Sequence, residues 1–213
     1  MPSSTEKPVP GAAQAWVVLA AALALASIVA FRLAPAAAID WQPSLATTQP
    51  WRAWTAALLH YSPLHLTANL AGAALVAAFG WTARVRMAGV AAWFAAWPLT
   101  QIGLLLRPEL AHYGGLSGVL HAGAACAALS LFIHDRGRRR AIGAAVLAEL
   151  ALKVASEAPW STLLRQPAGW DIAIAPLAHA SGLVMGLAAA GVAEAVARWL
   201  ARLRVPPPEG RPR

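Results

Sequence analysis

The 213-residue chain is 59% hydrophobic and only 12% charged, with a mean hydropathy of +0.55. Soluble domains carry about 25% charged residues, so the composition excludes a water-soluble domain and points to an integral membrane protein embedded in a lipid bilayer. The net charge of +8 does not imply nucleic acid as a partner, because no basic stretch has interleaved aromatics and the arginines sit in short loops.

Residues 1–14, with Pro2, Pro8 and Pro10, read as a short disordered tail. A membrane span needs about 20 apolar residues. Span one is expected over 15–36; Ala34-Pro35-Ala36 would be a poor signal-peptide cleavage site, and more spans follow. A loop over 37–53 leads to span two, about 54–81, which carries His60, His65 and Asn69 in its first half. Span three is 87–106. Span four, about 115–134, opens on Gly114-Gly115-Leu116-Ser117-Gly118 and holds Cys126, whose place mid-span suits a small core residue. That lone cysteine excludes an internal disulfide. Span five, 141–158, is the polar one: Glu149, Lys153 and Glu157 recur at i, i+4 and i+8, so they share a helical face and can pair. Span six covers 172–197, and a basic tail with Pro206-Pro207-Pro208 fills 198–213.

One side of this arrangement collects Lys7, Arg84, Arg86, the arginines of 136–140 and those from Arg198 onward. The other collects only Arg32, Arg52, Arg107 and Arg165. The positive-inside rule then makes both termini cytoplasmic, which requires an even number of spans and favours six.

Spans two, four and six all run inward from the outer face. His65 is expected about three turns into span two, Ser117 near the start of span four, and His179 about two turns into span six. These residues and Asn69 therefore share the outer part of the membrane, where polar side chains are costly. A serine between glycines at a helix start can be a nucleophile beside free N–H groups. The same small residues are equally the ordinary packing residues of membrane helices, and both readings stand on the motif alone. A serine, a histidine and two further donors is the inventory that acyl transfer needs.

Other residues have quieter expectations. His60 should satisfy a loop or helix start, and His112 and His134 sit at span ends. His121 lies one turn below Ser117, as a wall of the site or a packing residue. Lys153 could serve as base in a Ser-Lys dyad, although the flanking glutamates favour pairing. An α/β-hydrolase elbow is excluded, since Val119 replaces the second glycine and no strand is evident. A metal- or haem-binding membrane protein is the non-enzymatic alternative. Against it, His60 and His65 lie off a common helical face and no acidic ligand is expected at their depth, so no metal and no cofactor are expected.

Trp51-Arg52, His65-Leu66-Thr67-Ala68-Asn69, Gly115-Leu116-Ser117-Gly118 and Ala178-His179-Ala180-Ser181-Gly182 with Gly186 follow one another in a set order. Together they resemble the rhomboid intramembrane serine proteases over roughly residues 50–190. The resemblance implies an all-α membrane protein, a rhomboid-like bundle of six transmembrane helices over 15–197. It makes Ser117 the nucleophile and His179 the base of a dyad lacking a carboxylate. His65, Asn69 and the backbone N–H groups of Ser117 and Leu116 would bind the oxyanion. Gly115, Gly118 and His121 would line the substrate site, and Gly182 and Gly186 would let span six pack closely on span four.

There are departures from the family pattern. The first loop is short, with little room for paired loop helices, and the acidic residue often found before Trp-Arg is missing. His121 stands where many rhomboids carry tyrosine. The compact length, Gly-Leu-Ser-Gly-Val-Leu-His and the Lys/Glu face resemble the rhombosortase branch. Its substrates end in Gly-Gly, a hydrophobic helix and a basic tail, which implies an enzyme of the bacterial inner membrane acting on such C-terminal helices. A rhomboid of general specificity is the alternative.

Overall fold

A computed structural model describes residues 11–203; the expected tail over 1–10 and the Pro206–Pro208 segment lie outside the described residues. Among the described residues eight α-helices run in the order α1 (Ala12–Leu33), α2 (Ala36–Ile39), α3 (Arg52–Thr55), α4 (Pro63–Ala83), α5 (Met87–Ile102), α6 (Ser117–His134), α7 (Gly137–Ser156) and α8 (Pro176–Leu203). Among the described residues no strand forms; two isolated bridges pair Trp41 with Tyr113 and Arg165 with Ile174.

Among the described residues five helices are long and apolar enough to cross a membrane: α1, α4, α5 with its 3₁₀ extension to Leu106, α6 and α8. α7 has 20 residues, a length of about 30 Å, but its arginines, Glu149 and Lys153 leave it too polar to qualify by composition. Large apolar side chains such as Val18, Leu25, Leu75, Val184 and Val192 point outward, as a helix facing hydrocarbon requires.

The helix boundaries correct the expected ones, and the reason is local. Span two starts at Pro63, not Trp54: Ser62 caps the helix by accepting the His65 N–H at 3.0 Å, and Pro63 takes the first position, where its missing N–H costs nothing. Pro176 opens α8 in the same way, later than residue 172, and the helix continues through 198–203. The first loop is not bare either. It holds α2, α3 and 3₁₀ turns at Pro43–Leu45 and Ala56–Leu58.

α6 is the central helix, in contact with α4, α5, α7 and α8. Small residues make this possible. A Cβ on Gly182 would collide with the Gly118 carbonyl, and one on Gly186 would come within 2.6 Å of the Ala122 oxygen. Gly143 of α7 would meet the Ala128 oxygen at 2.7 Å. Without a hydrophobic drive between helices in lipid, such close backbone approach and its van der Waals contacts hold the bundle. Two buried indoles are fixed by carbonyls: Trp16 Nε1 donates to Val76 O at 2.9 Å and Trp93 Nε1 to Val119 O at 2.8 Å. An unpaired N–H there would cost about 2–7 kcal/mol. Cys126 is buried in this core and reaches the Gly186 carbonyl.

A second apolar cluster, with Trp41, Ala53, Leu104, Leu110, Tyr113 and Ala178, packs the 36–62 segment against the approach to α6. Trp41 and Tyr113 exchange backbone hydrogen bonds at 2.7 and 2.9 Å. The buried Arg52 donates to the Asp40 carboxylate at 2.7 Å, to the Asp40 carbonyl at 2.8 Å and to the Ala37 carbonyl at 2.9 Å. Asp40 thus supplies the acid that the sequence lacks beside Trp51-Arg52, and its other oxygen takes His112 at 2.6 Å. This platform delivers the chain into Gly114-Gly115-Leu116 at a fixed angle.

Candidate active site

Three polar side chains from three helices meet because each sits in a first turn. Ser117 is the first residue of α6, His65 the third of α4 and His179 the fourth of α8. His65 and His179 thus lie nearer the starts of their helices than the sequence predicts, and the three side chains converge there.

Ser117 Oγ lies 2.9 Å from His179 Nε2. As the first helical residue, Ser117 has no helical partner for its own N–H. Gly115, two residues earlier, has φ 143, and a Cβ there would lie 2.9 Å from His65 Nε2. Glycine is needed for both reasons, and it lets the His65 ring close over the loop. The Leu116 side chain is fully buried in the core, so only its backbone could take part in chemistry. Gly118 faces elsewhere: a Cβ would meet the Ala178 oxygen at 2.6 Å and Thr100 Cγ2 at 2.8 Å, so its place is in helix packing.

Tyr61 N–H approaches His65 Nδ1 at 3.5 Å, which leaves Nε2 to carry the ring proton toward the cavity. Asn69 uses one amide hydrogen on the His65 carbonyl at 3.0 Å and keeps the other. His60 packs its ring 4.7 Å from His65 and bonds the Leu58 carbonyl. Burial lowers its pKa to about 4 despite that bond, so it is neutral at ordinary pH and adds no charge beside His65.

The resemblance implies a dyad lacking a carboxylate; the structure sets a carboxylate beside His179. Glu157, the residue just after α7, places Oε2 2.6 Å from His179 Nδ1. Lys153 Nζ lies 2.9 Å from Glu157 Oε1, 2.9 Å from His121 Nε2 and 3.1 Å from His179 Nδ1. His121 stacks on His179 with ring centroids 4.4 Å apart and contacts the Ser117 carbonyl through Nδ1 at 2.7 Å. The expected Lys153–Glu157 pair forms, while Glu149 stays exposed. α7 runs outward if α6 runs inward, so the outer end of its Lys/Glu face was the available signal for Glu157.

His65, Asn69, Ser117, His121, Lys153, Glu157 and His179 all line one cavity of about 680 Å³ between α4 and α7, with Leu75, Leu120 and Leu150 on its apolar part. A smaller cavity of about 50 Å³ shares Ser117, His65 and His179 on the side of Tyr61 and Tyr113. Over the large cavity lies the 157–175 segment, tied to α4 where Ser62 Oγ donates to Asp171 at 2.8 Å. Among the described residues no group of three or more His, Cys, Asp or Glu side chains is placed to hold a metal ion.

A family profile described as the Rhomboid domain matches residues 47–193, well over half of the chain. The chain belongs to the rhomboid family. Rhomboids are intramembrane serine proteases, hydrolases that act on transmembrane substrates within the membrane, and this is an enzyme of that class. The all-helical bundle fits the family. A comparison with curated proteins gave no match.

Proposed function

We propose that this rhomboid cleaves the C-terminal membrane helix of exported proteins next to a Gly-Gly pair, in the manner of a rhombosortase. The observation that carries the catalytic part is the 2.9 Å approach of Ser117 Oγ to His179 Nε2 at the mouth of a lateral cavity. Ser117 attacks the scissile carbonyl as its proton passes to His179, and a covalent acyl-enzyme forms. His65 Nε2–H, the second Asn69 amide hydrogen and the N–H groups of Ser117 and Leu116 are the donors for the developing oxyanion. The 50 Å³ cavity beside Ser117 and His179 offers space for the hydrolytic water, which occupies about 30 Å³.

The cavity supports the specificity. Beside Ser117 the stacked His121 and His179 rings and the Lys153 ammonium already fill one wall, so a substrate carbonyl flanked by bulky side chains would meet them. Glycines avoid that obstruction and lower helix propensity, which frees the bond to be exposed. Gly115 and His121 then border the cleaved segment. With α7 counted as a sixth, polar span, parity makes both termini cytoplasmic and opens the site to the outer side of a bacterial inner membrane. A substrate with a basic cytoplasmic end would lie with matched polarity.

Co-expression with a tailed single-span reporter tests this. The Gly-Gly reporter should be cut and a Leu-Leu version spared, both in a Ser117-dependent manner. Equal processing of the two would leave a protease of general specificity.

A further inference from the structure

We propose that Glu157 is a positioning residue for His179, so that Ser117, His179 and Glu157 work as a triad rather than a dyad. The inference rests on the reading of Ser117 and His179 as nucleophile and base, and it assigns the task of orienting that base to the outer end of α7.

Hydrogen-bond bookkeeping gives one consistent set of proton positions. His121 Nδ1 faces the Ser117 carbonyl at 2.7 Å, an acceptor only, so Nδ1 carries the proton and Nε2 is left as an acceptor. Lys153 donates into that Nε2 at 2.9 Å and into Glu157 Oε1 at 2.9 Å. Glu157, ionised, accepts only, so at 2.6 Å His179 Nδ1 must be the donor to Oε2. His179 Nε2 therefore holds a lone pair, and it faces Ser117 Oγ at 2.9 Å. This is the tautomer a general base needs. The 3.1 Å approach of Lys153 to His179 Nδ1 is then two donors converging on one carboxylate.

The environment makes this more than a surface ion pair. The Glu157 side chain is 10% exposed and that of His179 8%. In such surroundings a charge-assisted bond is short and strong, and an unmatched imidazolium would be costly. Lys153, beside the same ring, would oppose a second positive charge; Glu157 stands between them and balances it.

The step closes without further reagents. Ser117 Oγ bonds to the scissile carbonyl carbon, its proton moves to His179 Nε2, and the imidazolium keeps its Nδ1 proton directed at Glu157. Glu157 remains ionised throughout. As the tetrahedral species collapses, the C–N bond breaks and the Nε2 proton leaves on the new amine. Water then repeats the sequence on the acyl-enzyme, again through His179.

Fluorophosphonate labelling of the full chain in proteoliposomes tests the role without needing a substrate, since it separates binding (KI) from reaction (kinact). Glu157→Gln keeps the shape and removes the charge. It should lower kinact at least about 100-fold with KI unchanged, as loss of a triad carboxylate does elsewhere. Glu157→Asp should recover part of the rate. The double variant Lys153→Met/Glu157→Gln leaves no unmatched ammonium and should show at least the same kinact loss while still unfolding cooperatively. A Glu157→Gln rate within about threefold of wild type would overturn the proposal, as would equal losses in the Gln and Asp variants that track a lowered midpoint. Ser117→Ala separates the two levels. If it still labels, the nucleophile reading itself fails; if it is silent while Glu157→Gln labels normally, only the role of Glu157 fails.

Discussion

Gly182 of α8 lies directly against the Gly118 carbonyl of α6, with no space between the backbones for a methyl group. Ser117 and His179 flank this contact by one and three residues, so the helix spacing there sets the distance from the hydroxyl to the imidazole. Gly182→Ala must push the helices apart. Overpacking of this kind costs about 1–3 kcal/mol, and a shift of a few tenths of an ångström lengthens the 2.9 Å approach. Both the thermal midpoint and Ser117 labelling should fall together. An unchanged midpoint and rate would mean that the contact is slack.

Lys153 is expected to behave differently from its neighbour. Its side chain is 40% exposed against 10% for Glu157, so solvent screens the ammonium while the carboxylate keeps its bond to His179 Nδ1. Lys153→Met should therefore keep labelling within about tenfold of wild type, with stability the larger loss. Complete inactivity in a folded variant would give Lys153 a direct part in the chemistry.

Ser62 serves two partners, accepting the His65 N–H and donating to Asp171. Ser62→Ala removes a helix cap and should cost about 0.5–2 kcal/mol. Asp171 is exposed, so Asp171→Ala should cost less. Because the two share one bond, the double variant should lose less than the sum of the singles. Strict additivity in thermal unfolding would show that the bond across the mouth of the site contributes nothing.

The orientation is open to reporter fusions. One at the C-terminal end after Arg213 and one at the Asp135–Arg136 turn between α6 and α7 should both read cytoplasmic, because most of the arginines cluster at these ends. A periplasmic signal from either would contradict the proposed orientation, with Ser117 near the outer face.

Periodic and compositional features were legible in the sequence; side-chain meetings across the chain were less so. The apolar helices and the small-residue seam at Gly182 and Gly186 follow from residue type alone. α4 starts nine residues later than the apolar run predicts, since Trp54 to Leu59 is as apolar as a span, although Ser62-Pro63 carries the start signal. Asp40 could not be matched to Arg52 because their sequence separation says nothing of the turn that joins them. The sequence spacing predicts Glu157 as the i+4 partner of Lys153, which it is. That local pairing hid its second oxygen, turned to a histidine on another helix.

The measurement closest to the central claim is cleavage of a single-span reporter by purified enzyme in liposomes, with Ser117→Ala and His179→Ala beside the wild type. The account predicts cleavage by the wild type, none detectable by either variant, and cooperative thermal unfolding retained by both. Cleavage that survives Ser117→Ala, or survives His179→Ala at a rate near wild type, would contradict it.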